Sequence, residues 1–283
     1  MRMNYHMNGR TNEKQFLPIT SHHQQINWYL FLRTFYKRSC PSLITLAGII
    51  GSGKSSLTEI LAQELGTRPF YEPVEDNPVL PLFYQGNEIA AKRRAAGEKN
   101  VSNPYAYLLQ TFFLNRRFKM IKEAKKGSNN ILDRSIYEDA MFMKMNTAMG
   151  NATEIEYSIY KELLANMLSE LQYVSDDPTE DLMVMINVSY DTMIKRIKKR
   201  GREFEQVETD PSLVSYYHNL LDYYSDWANS YDISPFLLID GDKYDFVENP
   251  ADRNLVLDLI EEKLVALNKL SPARYSKLKQ KRS

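Results

Sequence analysis

The chain of 283 residues carries 36 basic and 36 acidic side chains, and a net charge of zero gives no electrostatic case for a nucleic-acid or anionic-membrane partner. At 43% hydrophobic and 25% charged it has the composition of an ordinary globular protein, and no run reaches the roughly 18 apolar residues of a membrane helix. A lone cysteine, Cys40, excludes an internal disulfide and fits a reducing, cytoplasmic setting.

Residues 1 to 40 stand apart. Glu13 is their only acidic residue, against Arg2, Arg10, Lys14, Arg33, Lys37 and Arg38. A poorly ordered extension and an organellar transit peptide both have such a composition, and no secretory signal pattern is present. Residues 41 to 283 show no repeat and no low-complexity linker, and are expected to form one domain.

The first expected strand, Leu43 to Ala47, runs into Gly48-Ile49-Ile50-Gly51-Ser52-Gly53-Lys54-Ser55. That segment matches the phosphate-loop pattern G-x-x-x-x-G-K-[ST] at every position. A helical pattern from Ser56 to Leu65 follows, with Gly66 as its stop. Strand, glycine loop and helix together aim backbone N–H groups and a helix N-terminus at phosphate. Gly51 and Gly53 let the backbone wrap closely, Lys54 supplies a cation, and the Ser55 hydroxyl suits Mg²⁺.

Further strands are expected at Pro69 to Glu72, Asn130 to Asp133, Leu182 to Val188 and Phe236 to Asp240. Between them lie helical patterns at Asn103 to Lys125, Ile155 to Leu171, Tyr190 to Lys199, Pro211 to Tyr231 and Pro250 to Leu270. Strands alternating with helices predict an α/β fold: a parallel sheet covered on both faces, with ligands at the carboxyl ends of the strands. This places Glu72, Asp133 and Asp240 near the phosphate loop, whereas Asp191 reads as a cap of the next helix. Residues 85 to 104 are the least regular internal stretch, either a flap over the site or a plain surface loop or helix.

The remaining motifs choose the reaction. Tyr71-Glu72-Pro73-Val74 ends the second strand with a carboxylate, which could take a proton from a hydroxyl acceptor, help worth roughly 10²–10⁴-fold in rate. Asp133 closes the third strand as a candidate metal anchor, and Arg134 beside it would bridge the reacting phosphates or hold Glu72. Lys195 to Arg202 has six basic residues in eight, with Arg196 and Arg200 on one helix face and Gly201 free to bend. This reads as a lid, with Glu203 and Glu205 placed to reach a sugar hydroxyl; a solvated charged face is the alternative. Gln110 and Arg117 are seven apart on one helix, and Asp139 lies six after Asp133, so an amide and a carboxylate could read a base edge.

These residues carry a resemblance. The chain resembles the deoxynucleoside kinase family, and within it the deoxyadenosine/deoxyguanosine kinases of lactic acid bacteria. The resemblance runs from about Leu43 to Leu264. It rests on Gly48 to Ser56, Tyr71 to Val74, Asp133 to Asp139, Arg196 to Arg202 and Asp240 to Phe246. It implies a P-loop kinase fold with a five-stranded parallel sheet and a basic lid, acting on a deoxynucleoside with ATP and Mg²⁺. Gly48, Gly51, Ser52, Gly53, Lys54, Ser55 and Ser56 would cradle the donor phosphates. Ser55 and Asp133 would serve the metal. Glu72 would be the base for the 5′-hydroxyl, with Arg134 at the phosphates. Gln110 and Asp139 would contact the base, with Arg117 beside Asp139. Tyr84 and Glu205 would hold the 3′-hydroxyl. Arg196, Arg200 and Arg202 would form the lid, and the backbone of Tyr244 to Phe246, Asp245 included, would receive the donor adenine. Members are usually dimers, so a homodimer or a heterodimer with a related subunit is implied.

Asp133 stands where many members carry glutamate, so its shorter arm would reach Mg²⁺ through water. The segment from Tyr84 to Gln110 is longer than in those relatives. Two other readings remain: a nucleoside monophosphate kinase of the thymidylate kinase type, and a nucleotide-binding partner subunit without turnover. Glu72 speaks against the first, since it would repel an anionic acceptor, and Glu72, Arg134 and the lid speak against the second. For the base, Gln110 predicts a purine, with deoxyadenosine ahead of deoxyguanosine.

Overall fold

The computed structural model describes residues 43–71, 77–127, 129–174 and 179–282. Strand β1 (Leu43–Gly48) is buried at all six positions, and β4 (Leu182–Asn187) at all but its last. Such continuous apolar runs suit strands covered on both faces. With β2 (Arg68–Phe70), β3 (Asn130–Asp133) and β5 (Phe236–Asp240) they form a five-stranded sheet, ordered β2-β3-β1-β4-β5 and parallel throughout. Pro69, which has no N–H to give, lies in β2 at the edge, where a ladder tolerates it.

Side chains alternate across the sheet. Ile44, Leu46 and Ile131 join one apolar core with Leu57 and Leu61, while Leu43 and Leu132 join a second with Leu109, Leu114 and Tyr160. Helix α1 (Lys54–Leu65) begins two residues earlier than its apolar pattern suggests and ends at Gly66 in the left-handed conformation. The expected helices lie at α3 (Ala106–Lys125), α5 (Glu154–Val174), α6 (Tyr190–Arg200), α7 (Leu213–Ser230) and α8 (Pro250–Ala266), with ends shifted by a few residues.

Among the described residues two further helices were not expected, and a third was only one of the alternatives for its stretch. Among them α4 (Ile136–Ala148) starts with a full capping box: Ser135 accepts from Tyr137 N–H and the Glu138 side chain accepts from the Ser135 N–H. Helix α2 (Leu80–Ala95) takes up much of the stretch read as irregular. The loop after it is pinned, not loose. Arg94 donates to the carbonyls of Val101 at 2.9 Å and Gly150 at 2.8 Å, and Asn103 donates to Phe83 O at 2.8 Å. Helix α9 (Pro272–Arg282) folds back through Arg282, which binds Glu64 of α1 and Asp258 and Glu261 of α8. The Ser189 hydroxyl caps α6 by accepting from Thr192 N–H. Asp191, expected as that cap, sits instead in the first turn, where the helix dipole favours its charge.

Register fixes the position of the site. Leu46 pairs with Asp133, Gly48 with Ile186, and Asn187 with Asp240. The exits of β1, β3, β4 and β5 therefore lie along one edge of the sheet.

Candidate active site

Beyond those exits lies a cleft of about 1300 Å³. Its floor at one end is the loop between β1 and α1. Gly48, Gly51 and Gly53 have φ of 142°, 74° and 99°. A Cβ on Gly48 would sit 2.6 Å from Ile186 O, and one on Gly51 2.9 Å from Met193 O, so side chains are excluded by strain and by space. Lys54 is buried and folds over the loop, donating to Gly48 O at 2.5 Å and Ile49 O at 3.0 Å. Ser55 and Ser56 face the cleft, whereas Ser52 is fully buried and offers its carbonyl to Arg196 at 2.8 Å.

The exit of β3 supplies the next groups. The Ser55 hydroxyl donates to Asp133 Oδ2 at 2.5 Å. Asp133 Oδ1 is buried with no hydrogen-bond partner among the described residues. A buried carboxylate oxygen left over beside a hydroxyl fits a hard divalent cation such as Mg²⁺, which takes oxygen ligands. Arg134 holds a left-handed backbone, φ 83°, uncommon for a side chain of its size. Its N–H donates to Leu46 O at 2.9 Å, and its guanidinium lies 5.0 Å from the centre of the Phe142 ring.

The lid is α6 and the turn after it. Arg196 donates to Ser52 O and Gly241 O, both at 2.8 Å, and so ties the phosphate loop to the loop after β5. Desolvation at that position lowers its pKa. Arg200 and Arg202 both pair with Glu205, a buried carboxylate in the short helical turn Glu203–Glu205. Lys199 reaches Glu248 at 2.6 Å. Of the basic run, Lys195, Arg196, Lys199, Arg200 and Arg202 line the cleft, which separates this segment from a merely solvated face.

The far end of the cleft is apolar and aromatic, with Phe83, Leu109, Phe113 and Phe142 in its wall. Gln110 is buried there, in the cleft wall. Arg117, 1% exposed, donates to Asp139 Oδ2 at 3.2 Å and to Asp133 O at 2.7 Å. Asp139 lines the cleft, and Arg117, which does not line it, stands behind Asp139. Tyr84 lies against Phe204, with ring centres 5.2 Å apart. Burial holds its pKa well above 10, with Tyr216, Tyr217 and Glu205 adding to the effect. The phenol is therefore a hydrogen-bond donor at neutral pH.

Tyr84, Gln110, Asp133, Arg134, Asp139, Arg200, Arg202, Glu205 and Asp245 all line this one cleft. Glu72 lies outside the described residues; Tyr71, which precedes it, lines the cleft. The Phe246 side chain itself does not line the cleft. It is buried under the phosphate loop, its ring 3.0 Å from where a Cβ on Gly53 would be, and it is Val247 that faces the cleft. Residues the motifs did not single out also contribute. Phe113, Phe142 and Asn146 line the cleft, and Glu138 and Tyr224 flank Arg134. The S-x-x-E pattern of Ser135 and Glu138 was legible as a helix start, but nothing local marks the rest.

Comparison with known proteins agrees with this geometry. The model of the family described as deoxynucleoside kinase matches residues 44–266. Deoxyguanosine kinase of Lactobacillus acidophilus is 55% identical over 229 residues, covering 81% of this chain and 93% of that protein. Deoxyadenosine kinase of the same organism is 48% identical over 230 residues, covering 81% and 99%. Among solved structures, deoxyadenosine kinase from M. mycoides with bound dCTP superposes with a TM-score of 0.58 at 26% identity, covering 78% of this chain and 99% of that one. The chain belongs to the deoxynucleoside kinase family.

Proposed function

We propose that the protein transfers the γ-phosphoryl group of ATP to the 5′-hydroxyl of a purine deoxynucleoside, with Mg²⁺. The observation that carries this reading is a single cleft with a phosphate loop at one end and an aromatic pocket lined by the Gln110 amide at the other. A monophosphate acceptor would call for cations at the pocket end; Gln110, Asp139 and aromatic rings stand there instead.

Lys54 and the backbone N–H groups of the loop bind the donor phosphates. Ser55 and Asp133 would hold Mg²⁺, which when bound would neutralise phosphate charge. Tyr84 and Glu205 orient the sugar, and Gln110 and Asp139 the base. Glu72 accepts the 5′-hydroxyl proton as the oxygen attacks phosphorus. Arg134, with Arg200 of the lid, meets the charge on the phosphoryl group in flight. Arg200 exchanges Glu205 for phosphate when the lid closes.

The relatives divide on the base. Those at 55% and 52% identity are named deoxyguanosine kinases and the one at 48% a deoxyadenosine kinase. Gln110 matches the donor and acceptor of adenine, while an anionic Asp139 matches two adjacent donors on guanine. The test is kcat/KM for the four deoxynucleosides with saturating ATP, repeated with Glu72→Gln. A purine comes first and thymidine last, and the variant loses most turnover while ATP still binds. Thymidine coming first would overturn the roles of Gln110 and Asp139.

The dimer and the cytoplasmic setting belong to the same reading. On the outward face of α5, Ile155 is 74% and Tyr173 86% exposed, an apolar surface suited to a second subunit. Light scattering of the purified protein measures its mass in solution.

A further inference from the structure

Glu138 has more partners than a helix cap requires. Its Oε2 accepts from Ser135 N–H at 2.8 Å, which completes the capping box. Its Oε1 accepts from three other groups: Gly48 N–H at 3.1 Å, Tyr224 O–H at 2.7 Å and Arg134 Nη1–H at 3.4 Å. The carboxylate is 0% exposed. Tyr224 is buried too, and it also accepts from Arg134 Nη1 at 2.8 Å. One oxygen thus gathers the first glycine of the phosphate loop, the arginine after β3 and a tyrosine of α7.

All four partners of Glu138 donate. An amide in its place would bring a donor against donors, so only the carboxylate satisfies the set. The two backbone N–H groups it serves, Gly48 and Ser135, lie at or beside positions that local preference does not stabilise. Gly48 sits at φ 142° against Ile186 O, and Ser135 directly follows Arg134, whose φ is 83°. Strained backbone of this kind persists only where the surroundings over-determine it. Burial, with the Glu138 charge as a lesser cause, keeps the Tyr224 phenol protonated, so it remains a donor to Oε1.

We infer that Glu138 is a positioning residue for phosphoryl transfer: with Tyr224 it sets the direction of the Arg134 guanidinium and the start of the phosphate loop together. Tyr224 brings α7, the helix that follows the lid, into the same network. The inference rests on the reading that Arg134 acts at the transferring phosphoryl group.

The test is a double-mutant cycle. Tyr224→Phe keeps the ring and the helix cap and deletes the relay to Arg134. Its kcat falls about 10-fold, in line with the cost of a misplaced catalytic group, while KM for the deoxynucleoside stays within about twofold. Glu138→Gln lowers kcat further, with the same split. In an Arg134→Ala background Tyr224→Phe has no further effect on kcat, since what it positions is gone. Far-ultraviolet circular dichroism and melting confirm that each variant is folded, and where Glu138→Gln does not fold, the Tyr224 cycle decides. A folded Tyr224→Phe protein with parental kcat, or an equal loss with and without Arg134, overturns the inference. Arg134→Ala with parental kcat overturns the reading of Arg134 itself, a different and separable result.

Discussion

Ser55 and Asp133, 78 residues apart in sequence, meet at 2.5 Å where the phosphate-loop helix starts and β3 ends. The parallel pairing of Leu46 with Asp133 brings the carboxylate to that place. Asp133→Asn keeps the shape and the backbone pairing but removes the pair's only negative charge toward Mg²⁺. Turnover falls by roughly 10²-fold or more, and the Mg²⁺ concentration for half-maximal rate rises. A Mg²⁺ titration at saturating ATP gives both numbers.

Lys54 is held over its own loop by the carbonyls of Gly48 and Ile49. Ile49 O also accepts from Ser52 N–H at 3.1 Å, so that carbonyl keeps a partner without the lysine. Lys54→Ala leaves melting near the parent's and lowers turnover by roughly 10²–10³-fold, the cost of one donor to developing negative charge. Melting and a coupled ADP assay on one preparation check both halves.

Buried tyrosines set an alkaline limit. Burial raises the phenols of Tyr137 and Tyr216 to about 12, and Tyr84 and Tyr224 shift in the same direction. Above pH 10 the unfolded chain has released these protons and the folded one has not, so stability falls as pH rises from about 10 toward 12. Below about pH 9 these groups contribute almost no slope. A melting series from pH 7 to 11 shows a plateau and then a decline.

Arg282 pairs with Glu64 at 2.6 Å, Asp258 at 2.7 Å and Glu261 at 2.7 Å, and it does not line the cleft. Arg282→Ala strands a fully buried carboxylate, Glu261, whose pKa burial already raises. Breaking a buried pair on one side costs roughly 3–5 kcal/mol. At about 2–4 °C per kcal/mol for a domain of this size, melting drops by roughly 6 °C or more while kcat stays close to the parent's. Melting and kcat measured together separate this stabilising role from a catalytic one.

Residues 1 to 40 precede the matched family region, which begins at residue 44. Removing them leaves kcat and melting near the parent's. A large loss of either would assign this segment a role in the core or in an assembly.

The sequence by itself determined the strands of the sheet and the phosphate loop with its lysine and serine. Strands buried on both faces must be apolar throughout, so Leu43 to Ala47 and Leu182 to Val188 were legible without any partner in view. The loop's glycines were legible because a short motif carries its own backbone geometry. Helix α4 was missed because burial on most sides erases periodicity, although its capping box was written in Ser135 and Glu138. Only the tertiary structure decided what Arg196, Phe246 and Glu138 touch. Arg196 reads as a phosphate ligand in a basic run, yet here it binds two backbone carbonyls. Phe246 follows an acidic turn, yet it packs beneath Gly53. Glu138 looks like half of a cap, yet it gathers groups from β1, β3 and α7. Local patterns report which face of an element is apolar; which donors converge on one buried oxygen depends on how strands far apart in the chain are ordered side by side.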